Sequence, residues 1–153
     1  MNYWLMKSEP STFGVEHLAK KPAKRAAWDG VRNYTVRNML RDQMKVGDLA
    51  FFYHSSCDVP GIYGVVRIVR EGYPDPTAFK RGHAHFDAGG DPAKPRWFMV
   101  DVALVRKLRR PITLATLNAN ASTLGDLLIL KRGNRLSIVP VSAEQWHAVI
   151  ALE

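Results

Sequence analysis

Apolar and polar residues alternate over Tyr3–Lys7, with two aromatics among them, so this segment predicts a strand that opens the domain. Ser11 and Thr12 suit the start of a short helix predicted to run to Ala19. Lys20–Arg25 reads as a basic loop with a proline. From Asn33 onward, Val36, Met39, Leu40 and Met44 recur at helical spacing, and Asn33 is a good N-cap. Lys45–Asp48 reads as a turn. The apolar run Leu49–His54 predicts a buried strand, and Gly61–Arg70, rich in Val and Ile, predicts another. Trp97–Leu108 alternates, with Phe98, Val100, Val102 and Leu104 on one side. A short helix is expected over Ile112–Asn118, after Pro111, and Leu124–Leu130 suits helix or strand. Leu136–Val141 predicts a strand. Ser142-Ala143-Glu144-Gln145 then matches a capping box that opens a closing helix with Trp146, Val149 and Ile150. Gly72–Arg96 is loop-like and long for a compact domain, as functional or mobile loops often are. About five strands with a few short helices favour an α+β domain built on a small mixed or antiparallel barrel.

Composition narrows the function classes. The 153 residues suit one domain and are too few for two full ones. The net charge is +8 and the pI about 9.9. Residues 1–58 hold nine Lys or Arg and residues 59–153 hold thirteen, so no detachable basic tail exists and any positive patch must be assembled by folding. Such a balance favours a polyanionic partner, nucleic acid first. Cys57 is the only cysteine, so no intramolecular disulfide forms, which fits a reducing compartment. Met1–Lys7 has neither a basic n-region nor a long apolar run, so the expectation is a cytoplasmic protein with no membrane partner.

Trp28-Asp29-Gly30-Val31-Arg32-Asn33-Tyr34 concentrates candidate chemistry. It places two π-faces, an amide edge and a guanidinium in seven residues, with a glycine that permits close approach. A nucleobase with its phosphate fits those groups. The same residues also suit a turn into a helix with Trp28 and Tyr34 in the core.

An ordered series of motifs runs through nearly the whole chain. It comprises Trp4-Leu5-Met6-Lys7-Ser8-Glu9-Pro10, the Trp28–Tyr34 segment with Arg37-Asn38, and Gly47-Asp48 leading to Phe52-Tyr53-His54-Ser55. Gly61-Ile62-Tyr63-Gly64, Asp75-Pro76-Thr77-Ala78, Trp97 with Val100-Asp101-Val102, and Asn134-Arg135-Leu136-Ser137 complete it. In these the chain resembles the EVE domain family, a relative of the PUA, YTH and ASCH domains. The resemblance implies a single domain over residues 1–153 with a PUA-like β-barrel and flanking short helices. It also implies a non-enzymatic reader of DNA or RNA that takes a modified base, such as a modified cytosine or a methylated base, into an aromatic and polar pocket. Thr35-Val36 departs from the Gln-Ala pair expected of the family, and the Gly82–Gly90 loop is richer in Gly and His.

Resemblance and residue chemistry together assign the pocket to Lys7, Ser8, Trp28, Gly30, Val31, Arg32, Asn33, Tyr34, Tyr53, His54 and Ser55. Trp28 would stack on the base. Ser8, Asn33 and Ser55 would bond its edge, and Lys7, Arg32 and Arg37 would offset phosphate charge. Arg37, Arg109, Arg110, Lys131, Arg132 and Arg135 are the candidates for the nucleic-acid backbone. His83, His85 and Asp87 are too loosely spaced to predict a metal site, and the pairing of His54 with Cys57 has no orienting carboxylate beyond Asp58. No cofactor is expected, and the protein is expected to be a monomer. The rival reading is a small ASCH-like amidohydrolase acting on modified pyrimidine nucleosides, with Lys7, Glu9 and Tyr53 as its reactive groups.

Overall fold

A computed structural model describes residues 1–153. Six strands form one mixed sheet: β1 (Tyr3–Ser8), β2 (Arg25–Trp28), β3 (Leu49–His54), β4 (Gly61–Pro74), β5 (Phe98–Thr113) and β6 (Ile138–Val141). Their order across the sheet is β2-β5-β4-β3-β1-β6. Only β1 and β3 run parallel; every other neighbouring pair is antiparallel. The class is α+β, as expected, but the sheet does not close into the expected barrel. β2 and β6 are its two edges and do not pair with each other, so it stays open.

The period of two explains why. In β1, Trp4 and Met6 point to one face and Leu5 to the other; in β3, Phe52 opposes Phe51 and Tyr53. Each face has its own apolar cluster. The first is covered by Val15 and Leu18 of α2 (Val15–Ala19), by Val36 of α3 (Tyr34–Asn38), and by Met39 and Leu40 of the π-helical turn Met39–Gln43. The second is covered by Leu117 of α4 (Leu114–Ala119), Leu124 of α5 (Ala121–Leu124), and Trp146 and Val149 of α6 (Ala143–Ile150). A sheet buried on both faces by helices has no single interior to wrap around. Register shifts in the β4–β5 pair let one strand serve both faces, with Ile62 in the second cluster and Val66 and Ile68 in the first.

Several elements differ from the expected ones. Arg25–Trp28 is an edge strand, paired from Arg25↔Ala103 to Trp28↔Val100. The first expected helix is two pieces, α1 (Pro10–Phe13) and α2, parted at Gly14, whose backbone is extended (φ −101°, ψ 175°). β5 continues through Pro111 to Thr113, so α4 begins later than the pattern predicts. Over Leu124–Leu130 no strand forms; the segment ends α5 and enters a 3-10 turn at Leu128–Leu130. After a 3-10 turn at Pro76–Phe79, residues 80–97 form a loop that holds a single bridge, Asp91 to Lys94. No helix is long and apolar enough to cross a membrane.

Candidate functional site

The free edge of β2, the end of β1 and the turn after Trp28 enclose a cleft of about 780 Å³. Small-molecule and cofactor sites are commonly clefts of roughly 300–1,000 Å³. Its wall carries Lys7, Lys21, Arg25 and Arg32 against two acidic lining groups, Glu9 and Asp29; Arg25 is also paired with Asp101 and Arg32 with Asp75, each at 3.1 Å, which leaves Lys7 and Lys21 as the unpaired cations. Phe13 and Trp28 supply aromatic surface, and Ser8, Thr12 and Ser137 supply hydroxyls.

Lys7 sits near the end of β1, where its N–H donates to the Ser137 carbonyl at 2.8 Å. Burial pushes its ammonium pKa down from the ordinary lysine value. None of the molecule's ion pairs involves it. A partly desolvated, unpaired cation is suited to an anionic or carbonyl oxygen from outside. The Ser8 hydroxyl donates to the Phe13 carbonyl at 2.6 Å, and its own carbonyl accepts the Ser55 N–H at 3.0 Å.

The Trp28 segment is held by one carboxylate. Asp75 is fully buried and accepts from the Gly30 N–H (2.8 Å), Arg32 Nη1 (3.1 Å), the Thr77 N–H (2.9 Å) and the Thr77 hydroxyl (2.6 Å). Burial alone would raise its pKa, but these donors together outweigh it and hold the carboxyl below its usual range. Arg32 also donates to the His85 carbonyl, from Nε at 3.1 Å and Nη2 at 2.6 Å. This places His85, from the 80–97 loop, in the cleft wall.

The expected pocket is therefore assembled in part. Lys7, Ser8, Trp28, Gly30, Val31 and Arg32 line the cleft. Trp28 is only 8% exposed, because its ring lies edge-on to Phe52 (5.4 Å) and Phe13 (6.5 Å) within the core. The other five expected pocket residues lie elsewhere. The Asn33 side chain caps α3, accepting the Val36 N–H at 3.0 Å. Tyr34 is 52% exposed and stacks on Trp97 at 4.9 Å, with the Arg37 guanidinium 4.9 Å from its ring. Tyr53 belongs to the cluster on the opposite face, where burial raises its phenol to about 12. His54 is buried beside Tyr63 and accepts the Val15 N–H at 3.1 Å; that burial lowers its pKa. Ser55 follows β3 and meets the site only through its N–H to Ser8.

The backbone candidates also separate. Arg37 donates to the Arg96 carbonyl at 2.7 Å, outside the cleft. Lys131, Arg132 and Arg135 are exposed on the turn that leads to Ser137, which itself lines the cleft. Arg109 and Arg110 are exposed far along β5, beyond Ala103, the residue opposite Arg25. The cleft residues the motifs missed include Lys21 and Arg25 of the basic segment, and His85. The first two carry a charge signal beside Trp28; His85 stands out in the sequence only as part of the Gly- and His-rich 82–90 loop, which does not point to the cleft.

The reactive groups of the rival reading are split, with Lys7 and Glu9 in the cleft and Tyr53 across the sheet. The His54 Nε2 is committed to the Val15 N–H at 3.1 Å. The His83 Nδ1 accepts the His85 N–H at 3.0 Å, and Asp87 is taken by Trp97 Nε1 (2.8 Å) and Arg96 (3.2 Å). No three His, Cys, Asp or Glu side chains converge to hold a metal ion.

The EVE domain family model matches residues 2–152. Human thymocyte nuclear protein 1 is 44% identical over 167 aligned positions, covering 99% of this chain and 74% of that protein. Among solved structures, human THYN1 protein in complex with 5-methylcytosine containing DNA superposes with a TM-score of 0.94. It is 41% identical, with 99% of this chain and 97% of that chain covered. A protein from Pseudomonas putida gives 0.92 at 49% identity, with 98% of each chain covered.

Proposed function

This chain belongs to the EVE domain family, and on that premise we propose that it is a DNA-binding reader that takes a modified cytosine into the cleft beside β2. The carrying observation is the joint one of site and fold. A basic, aromatic-walled cleft of base-binding size lies in a chain that superposes at 0.94 on a protein in complex with 5-methylcytosine containing DNA.

The cleft residues divide the work by their chemistry. Lys7, Lys21 and Arg25 face the phosphate and sugar. The exposed margin of Trp28, with Phe13, forms the apolar wall. Ser8, Ser137 and the backbone around Gly30 and Val31 meet polar edges of the base. Arg32 acts mainly by holding the wall in place. A base must leave a duplex to reach such a cleft, at a cost of a few kcal/mol. Stacking returns ~1–3 kcal/mol per base, so phosphate contacts and edge hydrogen bonds supply the rest. The proposal includes a single domain, a cytoplasmic monomer, and no chemical change to the bound nucleic acid.

The test is fluorescence anisotropy with duplexes identical except for cytosine or 5-methylcytosine at one position, and with the matching RNA, at one salt concentration. The expected result is tighter binding of the 5-methylcytosine DNA. Equal binding of both duplexes removes the reader function. Nucleoside analysis of the same samples should recover the base unchanged.

A further inference from the structure

One side chain of the long 80–97 loop reaches the cleft, and it is the least satisfied polar group in the molecule. Nδ1 of His85 is the only buried side-chain nitrogen or oxygen that has no hydrogen-bond partner. Leaving a buried polar atom unpaired costs about 1–3 kcal/mol, so native structures rarely do so without a use for it.

The residue's backbone is held from several sides, and its ring rests on Gly30. An added Cβ there would stand 2.7 Å from both ring nitrogens and closer still to Cε1. Gly30 has φ +81°, so glycine is required there both for the backbone and for the ring. The His85 carbonyl is gripped twice by Arg32, and its N–H donates to His83 Nδ1. Asp75 ties the other side of the same seat, through the Gly30 N–H and the Arg32 guanidinium. Backbone contacts fix the residue, while the imidazole itself makes no hydrogen bond that must break. A turn of the ring would bring an unspent nitrogen to a ligand in the cleft without breaking a hydrogen bond inside the protein.

We propose that His85 is a base-contacting residue, whose imidazole hydrogen-bonds the polar edge of the base held in the cleft. A neutral imidazole has one donor and one acceptor, which suits an edge that carries both. 5-Methylcytosine and thymine share the methyl group but differ at that edge, with an amino donor on one and a carbonyl acceptor on the other. Acting as the acceptor, an imidazole nitrogen takes the amino group of 5-methylcytosine and finds no donor at that position on thymine, so His85 favours 5-methylcytosine, while the basic wall treats the two alike. This assignment rests on the base-reading function proposed above.

The experiment compares wild type with His85→Phe, which keeps a flat ring over Gly30 and removes both nitrogens. Affinity is measured for oligonucleotides with 5-methylcytosine or thymine at the same position. The His85 imidazole ¹⁵N resonances of the wild type are followed during the 5-methylcytosine titration. His85→Phe is expected to keep its melting temperature and its salt dependence, to lose about 3- to 10-fold in 5-methylcytosine affinity, and to narrow the preference over thymine. The wild-type imidazole resonances are expected to move on binding. A His85→Phe protein with unchanged affinity and preference, or imidazole resonances unmoved at saturation, overturns the assignment while leaving base reading intact. A wild type that binds neither oligonucleotide overturns base reading, and the assignment falls with it.

Discussion

The buried carboxylate of Asp75 accepts the Gly30 N–H at 2.8 Å, joining the turn after β2 to the start of the Pro76–Phe79 turn across 45 residues of chain. Arg32 pairs with the same carboxylate at 3.1 Å. One buried anion thus sets both the backbone and the guanidinium that shape the cleft wall.

Asp75→Asn keeps the shape of the side chain and removes its charge. Arg32, only partly exposed, is left without its counter-ion. Breaking such a pair from one side costs about 3 kcal/mol, equivalent to roughly 6–12 °C in Tm at this chain length. The acid dependence follows from the lowered Asp75 pKa. A carboxyl held below its unfolded value adds stability that is full above that value, near pH 4, and is lost as pH falls through the folded one. Wild type is expected to lose more Tm between pH 5 and pH 3 than Asp75→Asn. Parallel curves in that range would rule out Asp75 as the group responsible.

His54 gives the opposite part of the pH scale. Burial lowers its pKa, and the neutral ring accepts the Val15 N–H. The unfolded chain then takes up a proton near pH 6.5 before the folded chain does, so stability falls as pH drops below that value. His54→Gln keeps an acceptor that does not titrate in this range. The difference in Tm between pH 7.5 and pH 5.5 should be larger in wild type than in His54→Gln. Thermal melts of both proteins in matched buffers measure it.

Where local chemistry alone fixes an element, the sequence predicts it closely. Leu49–His54 is β3 from end to end, Asn33 caps α3, and the Ser142–Gln145 box closes with both reciprocal hydrogen bonds. Elements that depend on a distant partner escape it. β2 is four residues with two alanines, and only pairing with β5 makes it a strand. Pro111 signals the end of a strand, yet Ile112 and Thr113 still pair with Ile62 and Gly61. The same division runs through the site. The Trp28–Arg32 segment is visible as composition, whereas His85 enters the cleft through Arg32 and Asp75, far away in sequence. The apolar run Leu49–His54 marks a buried strand but carries no information on which of its residues face the site, so Tyr53 is placed in the pocket although it packs on the opposite face.

The basic turn before Ser137 and the basic corner of β5 differ in distance from the cleft, and salt dependence separates them. Each phosphate contact contributes about −0.9 to the log–log slope for duplex DNA. Arg132→Ala with Arg135→Ala should reduce the magnitude of the slope and weaken cytosine and 5-methylcytosine duplexes equally. Arg109→Ala with Arg110→Ala should leave the slope nearer that of wild type. Binding curves at several salt concentrations decide it, and the reverse order would place the DNA backbone along β5 instead.

Trp28 has two roles that a single alanine substitution confuses. Its ring is mostly committed to Phe52 and Phe13, and only a margin meets the cleft. Trp28→Ala should cost ~3–5 kcal/mol of stability, as large-to-small changes in a packed core do. A binding loss in that variant reports the fold as much as the site. Trp28→Phe keeps an aromatic ring between the same neighbours. It should stay folded with a Tm lowered by several degrees, and lose affinity at the low end of the ~1–3 kcal/mol that stacking on a free face supplies. Melting and binding are measured on the same sample. If Trp28→Phe melts like wild type but loses the upper end of that range, the ring presents a full stacking face to the base. If Tm falls while affinity hardly changes, the aromatic wall serves chiefly as core, and base recognition rests on the polar groups around it.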